Sequence, residues 1–332
     1  MSAVTVETDW TYRGMQAICL ENRILRLILL PDLGAKILRL IHKPSDRNLL
    51  WENPRLIPRP VQVGASYDDN FFGGWDELFP NDEPVVMNGE RYPDHGELWS
   101  QPWRWRVDED SGGRVVIHVW CSCSVVNARV DKWLVMEAES PVLRFRHRIQ
   151  NLGVTPLDFL WKLHPALAIG PNHRIDLPPC RVLRADDAFS DLVGDEQFNW
   201  PLCRGKDGGM VDLRFVPAPG RPSKEFVYCT DLADGWCALT DTAARVGFGM
   251  RFPREVFGSV WLFLSYGGWR GYSTAILEPC TAWPKELDTA VARGTCSHLD
   301  AGGALECEVE AVVYEGLRSL REIRAGGEVV GE

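Results

Sequence analysis

The chain has 332 residues and a formal net charge of −10, with 45% hydrophobic and 25% charged residues. These proportions are ordinary for a folded globular protein and exclude extensive disorder. An acidic surface repels phosphate backbones and anionic lipid headgroups, so we predict neither nucleic acid nor membrane as a partner. No apolar run reaches the roughly 20 residues that span a bilayer, and the start of the chain lacks a secretory pattern, so we expect a cytoplasmic protein.

The ten cysteines are scattered along the chain and include no CxxC pair. This pattern disfavours a disulfide scaffold and a zinc ribbon, so we expect reduced thiols. Distance in sequence leaves open whether His95, His164 and Glu278 meet around an ion. We predict that they do not, and that the protein binds no metal.

Short β-like runs, bounded by Gly, Pro, Asp or Asn, recur along the chain. In chain order they are Arg23–Leu30, Lys36–Ile41, Arg114–Val126, Lys132–Val135, Val142–Gln150, Leu157–Leu163, Phe226–Cys229, Trp236–Thr240, Val246–Phe252, Ser259–Ser265, Thr274–Glu278 and Leu305–Glu315. Strands that follow one another without intervening helices argue against parallel βαβ units. The pattern therefore predicts an all-β fold, a large antiparallel β-sandwich.

Helical periodicity is confined to two short stretches, Lys285–Arg293 and the tail Leu317–Arg324. No repeat of fixed period is visible, which disfavours a propeller or a solenoid. No linker rich in Pro, Gly or Ser divides the chain. We therefore predict a single domain over residues 1–332.

The irregular stretch Pro54–Trp103 is the most unusual part of the chain. Long loops of this kind often carry function, and this one places Asp76 and His95 near Trp75 and Trp99. Sugars present apolar C–H faces and a ring of hydroxyls, so a sugar site needs aromatic platforms together with charged hydrogen-bonding partners. The structural alternatives are a turn-capping aspartate and an ordinary loop histidine.

Two later segments supply candidate acid–base groups. In FLWKLHPALAIG, strand alternation puts Lys162 and His164 on one face, and Pro165 should then end regular pairing on that side. A histidine there is well placed for proton transfer near neutral pH. In AILEPCTAWP, Glu278 follows an apolar run, and burial would raise its pKa towards that of a general base. A structural histidine and a solvent-facing edge glutamate are the alternatives.

Taken in order, these segments resemble the galactose mutarotase-like superfamily, and in particular its aldose 1-epimerase family. GGWDELFPN followed by HGELWSQPW is similar to that family's double glycine, Phe-Pro and later His-Gly with a nearby Trp. LHPALAIG resembles its strand-end histidine segment, AILEPCTAWP its late segment with a glutamate, and ENRILRLILLPDLGAKILRL its opening hairpin. The resemblance covers roughly residues 20 to 315.

The resemblance implies a galactose mutarotase-like supersandwich and the activity of an aldose 1-epimerase, or mutarotase, on a free sugar without a cofactor. It implies that Glu278 is the general base and His164 the general acid of ring opening. His95 would hold the ring or the developing charge, and Asp76 would bond a sugar hydroxyl.

The chain also departs from the resemblance in two places. The hexose-6-phosphate branch usually has an arginine shortly after His-Gly, where this chain has Glu97, Leu98 and Trp99, which disfavours phosphate recognition. Pro165 and Ala166 stand where an aromatic usually follows the histidine, which implies a different wall. The further candidate substrate contacts are Trp75, Glu97, Trp99, Lys162 and Arg270.

Two other functions stay open at this stage. One is epimerisation or isomerisation of an unusual sugar or sugar acid on the same fold. The other is a non-catalytic sugar-binding module, which the presence of both His164 and Glu278 disfavours because binding alone needs no acid–base pair. The sequence names neither the sugar nor its anomer, and we expect a monomer or a homodimer.

Overall fold

The computed structural model describes residues 3–218 and 220–331, and most of these belong to β-strands. The strands of the first half are β1 Thr5–Tyr12, β2 Met15–Glu21, β3 Leu25–Leu30, β4 Lys36–His42, β5 Arg47–Asn48, β6 Trp75–Leu78, β7 Val85–Met87, β8 Glu90–Tyr92, β9 Arg104–Asp110, β10 Arg114–Ser122, β11 Ala128–Glu137, β12 Val142–Asn151, β13 Leu157–Phe159 and β14 Lys162–Ala168. Those of the second half are β15 His173–Asp176, β16 Arg181–Arg184, β17 Gln197–Asn199, β18 Leu202–Arg204, β19 Met210–Asp212, β20 Ser223–Thr230, β21 Trp236–Asp241, β22 Val246–Arg251, β23 Ser259–Tyr266, β24 Ser273–Cys280, β25 Ser297–Leu299, β26 Ala304–Glu315, β27 Leu320–Ile323 and β28 Val329–Gly331. The α-helix α1 spans Leu287–Arg293. None of the helices in these two ranges combines the length and apolar character needed to cross a membrane.

Two large sheets contain most of the described strands. The first has the order β1-β2-β3-β4-β6-β14-β24-β23-β20-β16-β17, with β5 added beside β4. The second has the order β15-β21-β22-β26-β12-β11-β10-β9. Neighbouring strands in both sheets run antiparallel, which confirms the predicted all-β architecture.

The sheets pack face to face because one face of each is apolar. In β12 the side chains of Leu143, Phe145 and Ile149 are buried, while Arg146 between them is exposed. This alternation is the period-two pattern of a strand with one wet face. Across the layer, the ring of Trp75 in β6 lies 5.1 Å from the ring of Phe145, so the two inner faces interdigitate.

Strand β14 is covered on both faces. Every residue of β14 from position 162 to 167 is buried, although the strand begins with a lysine and contains a histidine. The inner face meets the second sheet, and the long connections between β5 and β9 lie over part of the outer face. Charged side chains on the outer face of β14 are therefore removed from water, and each requires a partner.

The tail that was expected to be helical is a β-hairpin instead. Strand β27 pairs with β28, and Leu320 and Ile323 are buried in a cluster with Trp236 and Val312. The three-residue spacing of leucines suggested a helix, but burial against the sheet edge outweighs this weak local preference. The other expected helix, at Lys285–Arg293, is present as α1 and begins two residues later.

The run Leu157–Leu163, expected as one strand, is divided between β13 and β14, and β13 pairs instead with β25. Pro165 does not end the pairing of β14. The strand continues to Ala168, and Pro165 lies opposite Trp75 in β6. Since proline lacks an N–H, only the pairing towards β24 is interrupted, and it resumes at Ala166.

A buried ionic cluster joins the two sheets. Glu77 of β6 lies 2.9 Å from Lys132 Nζ of β11 and 3.1 Å from His147 Nε2 of β12. Its second oxygen accepts a hydrogen bond of 3.2 Å from the indole of Trp161. Burial acts to raise the pKa of Glu77, but the charges of Lys132 and His147 outweigh it and hold that pKa far below its usual value.

We predict that Lys132→Met destabilises the fold by about 3–5 kcal/mol at pH 7, because it leaves the Glu77 carboxylate buried with too little compensation. Since the folded-state pKa of Glu77 is lowered, its contribution is present above the usual value of 4.5 and is lost as the pH falls. Denaturant unfolding measures the change. The control is Arg23→Met, whose ion pair with Glu139 is 68% and 61% exposed and should contribute less than about 1 kcal/mol. Equal losses in the two variants would contradict the assignment.

Candidate active site

Neighbouring strands bring four functional side chains into one row on the outer face of the first sheet. His164 of β14 lies opposite Asp76 of β6, and Glu278 of β24 lies opposite Trp261 of β23. The register between β14 and β24 also sets His164 opposite Glu278. Side chains at opposed positions share a face, so the four form a continuous row across the sheet.

Part of this row forms the floor of a cavity of about 620 Å³, including its open mouth. Such a volume suits a small-molecule ligand. The residues that line it are Tyr67, Asp68, Phe71, Asp82, Glu83, His95, Lys162, His164, Phe189, Phe226, Phe263, Trp269, Ile276, Glu278 and Lys285.

The connection between β5 and β9 forms one wall, and two glycines allow it to approach the sheet. Gly73 has φ +78°, and a Cβ there would lie 2.1 Å from the carbonyl oxygen of Trp51. Gly96 has φ +67°, and a Cβ there would lie 2.1 Å from the carbonyl oxygen of Phe79. Any side chain at these positions would displace the wall, including the neighbouring His95.

The charged centre of the cavity is Lys162. Its Nζ lies 2.6 Å from Asp82 Oδ1 and 2.7 Å from Glu278 Oε2, and all three side chains are buried. Burial acts to lower the pKa of Lys162, but the two carboxylates outweigh it and raise that pKa, so the ammonium group is charged at neutral pH. The Nζ also lies 4.5 Å from the centre of the Trp261 ring, a cation–π contact.

Glu278 and His164 face each other with 3.8 Å between Oε1 and Nε2. Burial raises the pKa of Glu278 to about 7, although Lys162 acts to lower it. Burial and the nearby positive charges of Lys162, His95 and Lys36 hold the pKa of His164 well below its usual range. The pair therefore combines a carboxyl group that titrates near neutrality with an imidazole that is neutral there.

His95 forms the cavity wall above this pair. Its Nδ1 lies 2.7 Å from Asp94 Oδ1, its Nε2 lies 3.6 Å from Asp82 Oδ1, and its ring stacks on Tyr67 at 4.3 Å. Burial opposes a charge on His95, but Asp82 and the hydrogen bond to Asp94 raise its pKa above the usual value. His95 is thus suited to donate a hydrogen bond to a ligand oxygen.

Beneath His164, a chain of hydrogen bonds fixes the orientation of the ring. The hydroxyl of Tyr67 lies 2.9 Å from Asp76 Oδ2 and 3.1 Å from His164 Nδ1. Asp76 Oδ2 also accepts from Lys36 Nζ at 2.5 Å, and Lys36 in turn donates to the carbonyl of Gly73 at 2.8 Å. All of these polar groups are buried.

This chain of hydrogen bonds selects one tautomer of His164. The single hydroxyl hydrogen of Tyr67 is donated to the Asp76 carboxylate, which can only accept. The Tyr67 oxygen must then accept from His164, which places a hydrogen on Nδ1. The lone pair or proton on Nε2 is left facing Glu278 and the cavity.

The structure brings Glu278, His164, His95 and Lys162, all chosen from the sequence, to one cavity. Asp76 lies below His164, and its Oδ2 is bonded to buried protein groups rather than directed at the cavity. In the structure Asp76 Oδ2 supports His164 through Tyr67, and the contact of Asp76 with a sugar hydroxyl stays a prediction.

The other predicted contacts lie at the rim or away from the cavity. Arg270 is exposed at the rim, where its guanidinium lies 2.8 Å from Asp69. Trp75 faces the second sheet. Side chains alternate along β6, and the next residue, Asp76, faces the other side of the sheet. Glu97 is fully buried and accepts hydrogen bonds from the backbone of residues 124–126. Trp99 supports Tyr67 edge-on at 5.0 Å, so none of these last three is placed to meet a ligand.

Several groups at the site were not selected from the sequence. Asp82 lies within the unusual stretch Pro54–Trp103, which the sequence marks as a functional segment, but nothing in the sequence predicts that Asp82 pairs with Lys162. Lys36 could have been found as a lone lysine at a strand start amid apolar residues. Tyr67 and Phe263 carry no local signal, because only the folded chain brings Tyr67 beside His164 and Phe263 opposite Ile276.

Comparison with solved structures shows which fold this is. A candidate aldose 1-epimerase from Klebsiella pneumoniae aligns with a TM-score of 0.74 at 15% identity, covering 94% of this chain and 83% of its own. A galactose mutarotase-like protein from Clostridium acetobutylicum aligns at 0.68 and 11% identity, covering 95% and 99%. A candidate aldose 1-epimerase from Escherichia coli aligns at 0.65 and 17% identity, covering 91% and 100%. No protein-family model matches the sequence.

The chain therefore has the galactose mutarotase-like fold, as the sequence resemblance led us to expect. Within residues 3–218 and 220–331, no group of three or more His, Cys, Asp or Glu side chains is arranged to hold a metal ion. Among the charged groups of the cavity, Lys162 is paired with Asp82 and Glu278, and Lys285 is paired with Glu83.

We predict that Tyr67→Phe releases His164 from its fixed tautomer, because the phenolic oxygen that receives Nδ1–H is lost. Nitrogen-15 NMR of the imidazoles should change from one tautomer to a mixture. Asp76 also loses a buried donor, so the unfolding free energy should fall by about 1–3 kcal/mol.

Tyr272→Phe is the matched control, because it removes a hydroxyl from a buried tyrosine of the same aromatic cluster as Tyr67. We expect it to leave the His164 signals unchanged. An unaltered tautomer in Tyr67→Phe would show that the hydroxyl does not orient the ring.

Proposed function

We propose that this protein is an aldose 1-epimerase, a cofactor-independent isomerase that interconverts the α and β anomers of a free sugar. The observation that carries the proposal is the opposition of Glu278 and His164 across the floor of one cavity, 3.8 Å apart. The fold likeness to candidate aldose 1-epimerases supports it. The aromatic side chains of the cavity support a sugar as the ligand, since they offer surfaces for its C–H faces.

The reaction needs a base at the anomeric hydroxyl and an acid at the ring oxygen. Glu278 removes the hydroxyl proton while His164 Nε2–H protonates the ring oxygen, and the ring opens to the aldehyde. Rotation about the bond between C1 and C2 presents the other face of the carbonyl. Reverse transfers through the same two groups close the ring as the second anomer. Apart from this rotation, the steps are proton transfers that accompany breaking and re-forming the bond between C1 and the ring oxygen, so the chemistry requires no redox or group-transfer cofactor.

The pair works with one proton shared between its two members. In the resting protein this proton resides on Glu278, because burial raises the pKa of Glu278 and lowers that of His164. The reacting form has the proton on His164 instead. The two forms hold the same number of protons, so the pH sets how many pairs are singly protonated but not how the proton is distributed.

Lys162 and His95 stabilise the charges of the reaction. The ammonium group of Lys162, 2.7 Å from Glu278, favours the carboxylate form that acts as the base. His95, with its raised pKa, provides a donor for a hydroxyl or for negative charge that develops on the sugar. Asp82 holds Lys162 in place and balances its charge.

Three further expectations from the sequence stay predictions: the single domain over residues 1–332, the cytoplasmic location and the monomeric or homodimeric state.

We predict that Glu278→Gln lowers the catalysed rate of anomer exchange by at least about 100-fold, because the amide cannot accept the hydroxyl proton. Polarimetry of freshly dissolved pure anomers, or NMR exchange, measures the rate above the spontaneous background. Glu83→Gln is the control, since it makes the same chemical change at a cavity residue that pairs with Lys285. Full activity in Glu278→Gln would overturn the mechanism. Sugar binding without any acceleration in the native protein would favour a binding module.

We predict that kcat/KM falls as the pH rises above about 7. The pKa of Glu278 is raised to about 7 and His164 is already neutral there, so the pair loses its one proton in alkali. In acid the rate falls only when His164 also becomes protonated, well below its usual range. A pH–rate profile corrected for the uncatalysed reaction measures both limits. A rate that keeps rising to pH 9 would contradict the shared-proton scheme.

A further inference from the structure

The row that contains Glu278 and His164 divides the cavity into two unlike halves. On the side of Lys162, the lining is charged and includes Asp82 and His95. On the other side, the next row of the sheet is apolar. Ile276 of β24 lies opposite Phe263 of β23, and Phe263 lies opposite Phe226 of β20.

Loop residues complete the apolar half. Trp269 meets the Phe263 ring edge-on at 5.2 Å, and Phe189 lies 6.0 Å from the same ring. Phe71 lies 5.6 Å from Trp269 and 6.0 Å from the His164 ring.

The side chains named for this half carry a single polar hydrogen, on the indole of Trp269. The carboxylate of Asp68 also lines the cavity and lies 3.8 Å from Arg270, beside Trp269. A ligand hydroxyl directed among the aromatic rings would therefore find few partners.

From the proposed function and these two halves we infer how a pyranose ring lies in the cavity. In the proposed function Glu278 meets the anomeric oxygen and His164 meets the ring oxygen. Lys162 contacts Glu278, so the hydroxyls at C2 and C3, which follow the anomeric carbon, face the charged half. Phe71 contacts His164, so the substituent on C5, which follows the ring oxygen, faces the apolar half.

From this arrangement we propose that the substrate is a 6-deoxyaldose, a sugar with a methyl group on C5 in place of hydroxymethyl. The inference rests on the proposed function, because that function sets the orientation of the ring. A methyl group gains from contact with the aromatic half. A hydroxymethyl group would lose its hydrogen bonds to water and find no replacement there.

The test compares sugars that differ only at C6. The matched pairs are 6-deoxygalactose with galactose, 6-deoxyglucose with glucose, and 6-deoxymannose with mannose, each in the D and L series. We expect kcat/KM for anomer exchange to be about 10- to 100-fold higher for the deoxy member of the preferred pair. Equal rates, or faster exchange of the hydroxymethyl member, would overturn the proposal.

A pair of variants tests whether the apolar half sets this preference. Phe189→Asn places an amide in the apolar half and should reduce the deoxy preference by about tenfold. Phe189→Leu keeps that half apolar and should retain the preference. Phe189 lies in a short turn outside the sheets, and circular dichroism checks that both variants fold. An unchanged preference in Phe189→Asn would contradict the assignment of the C5 substituent to this half.

Binding measured by calorimetry with the same sugar pairs separates this proposal from the proposed function. Tighter binding of the deoxy sugars without any catalysed exchange would overturn the epimerase activity and support the substrate class. Catalysed exchange that depends on Glu278 but ignores C6 would support the activity and overturn the substrate class. No binding and no exchange with any pair would overturn both.

Discussion

The ammonium group of Lys162, buried between Asp82 and Glu278, is the interaction on which the cavity depends. A single charge in this position would be strongly disfavoured, and so would either carboxylate alone. Together the three groups bring a loop residue, Asp82, into contact with two central strands of the sheet. The same pairing affects the protonation of Glu278, because Lys162 opposes the effect of burial and the pKa of that carboxyl lies near neutrality.

Strand β6 shows how the fold keeps two ionic systems apart. Asp76 faces the outer side of the sheet, where it supports His164 through Tyr67. Glu77, the next residue, faces the inner side and pairs with Lys132 of the second sheet. Period-two alternation places these adjacent carboxylates on opposite faces, so one serves the site and the other joins the layers.

The site residues that lie on strands could be predicted from the sequence, because the alternation of side chains along a strand is a local property. Lys162 and His164 were assigned to one face correctly, and Glu278 was placed on a strand that proves to be their neighbour. Trp75 was misjudged as a sugar platform because the sequence does not reveal which face of β6 meets the second sheet. Tyr67 is not predicted as a site residue, since the contact that gives it a role, with His164, joins residues 97 apart in the sequence.

The fold-level prediction was correct for the same reason, since short strands without helices leave few other architectures. The errors fall where tertiary contacts override local pattern. The tail at β27 follows a helical spacing but forms a hairpin, because the sheet edge buries Leu320 and Ile323. The role of Glu97 was likewise hidden, since its hydrogen-bonding partners at residues 124–126 lie on a distant loop.

Some residues of the cavity lie on strands and others lie on loops, and this difference affects which of them can change during evolution. Glu278, His164 and Lys162 belong to strands whose backbones also hold the core, so changing their positions would disturb the sheet itself. Asp82 and Phe189 belong to connections, where replacements and insertions are tolerated far better. Descendants of this sequence can therefore acquire different cavity walls through loop substitutions while they inherit Glu278 and His164 unchanged.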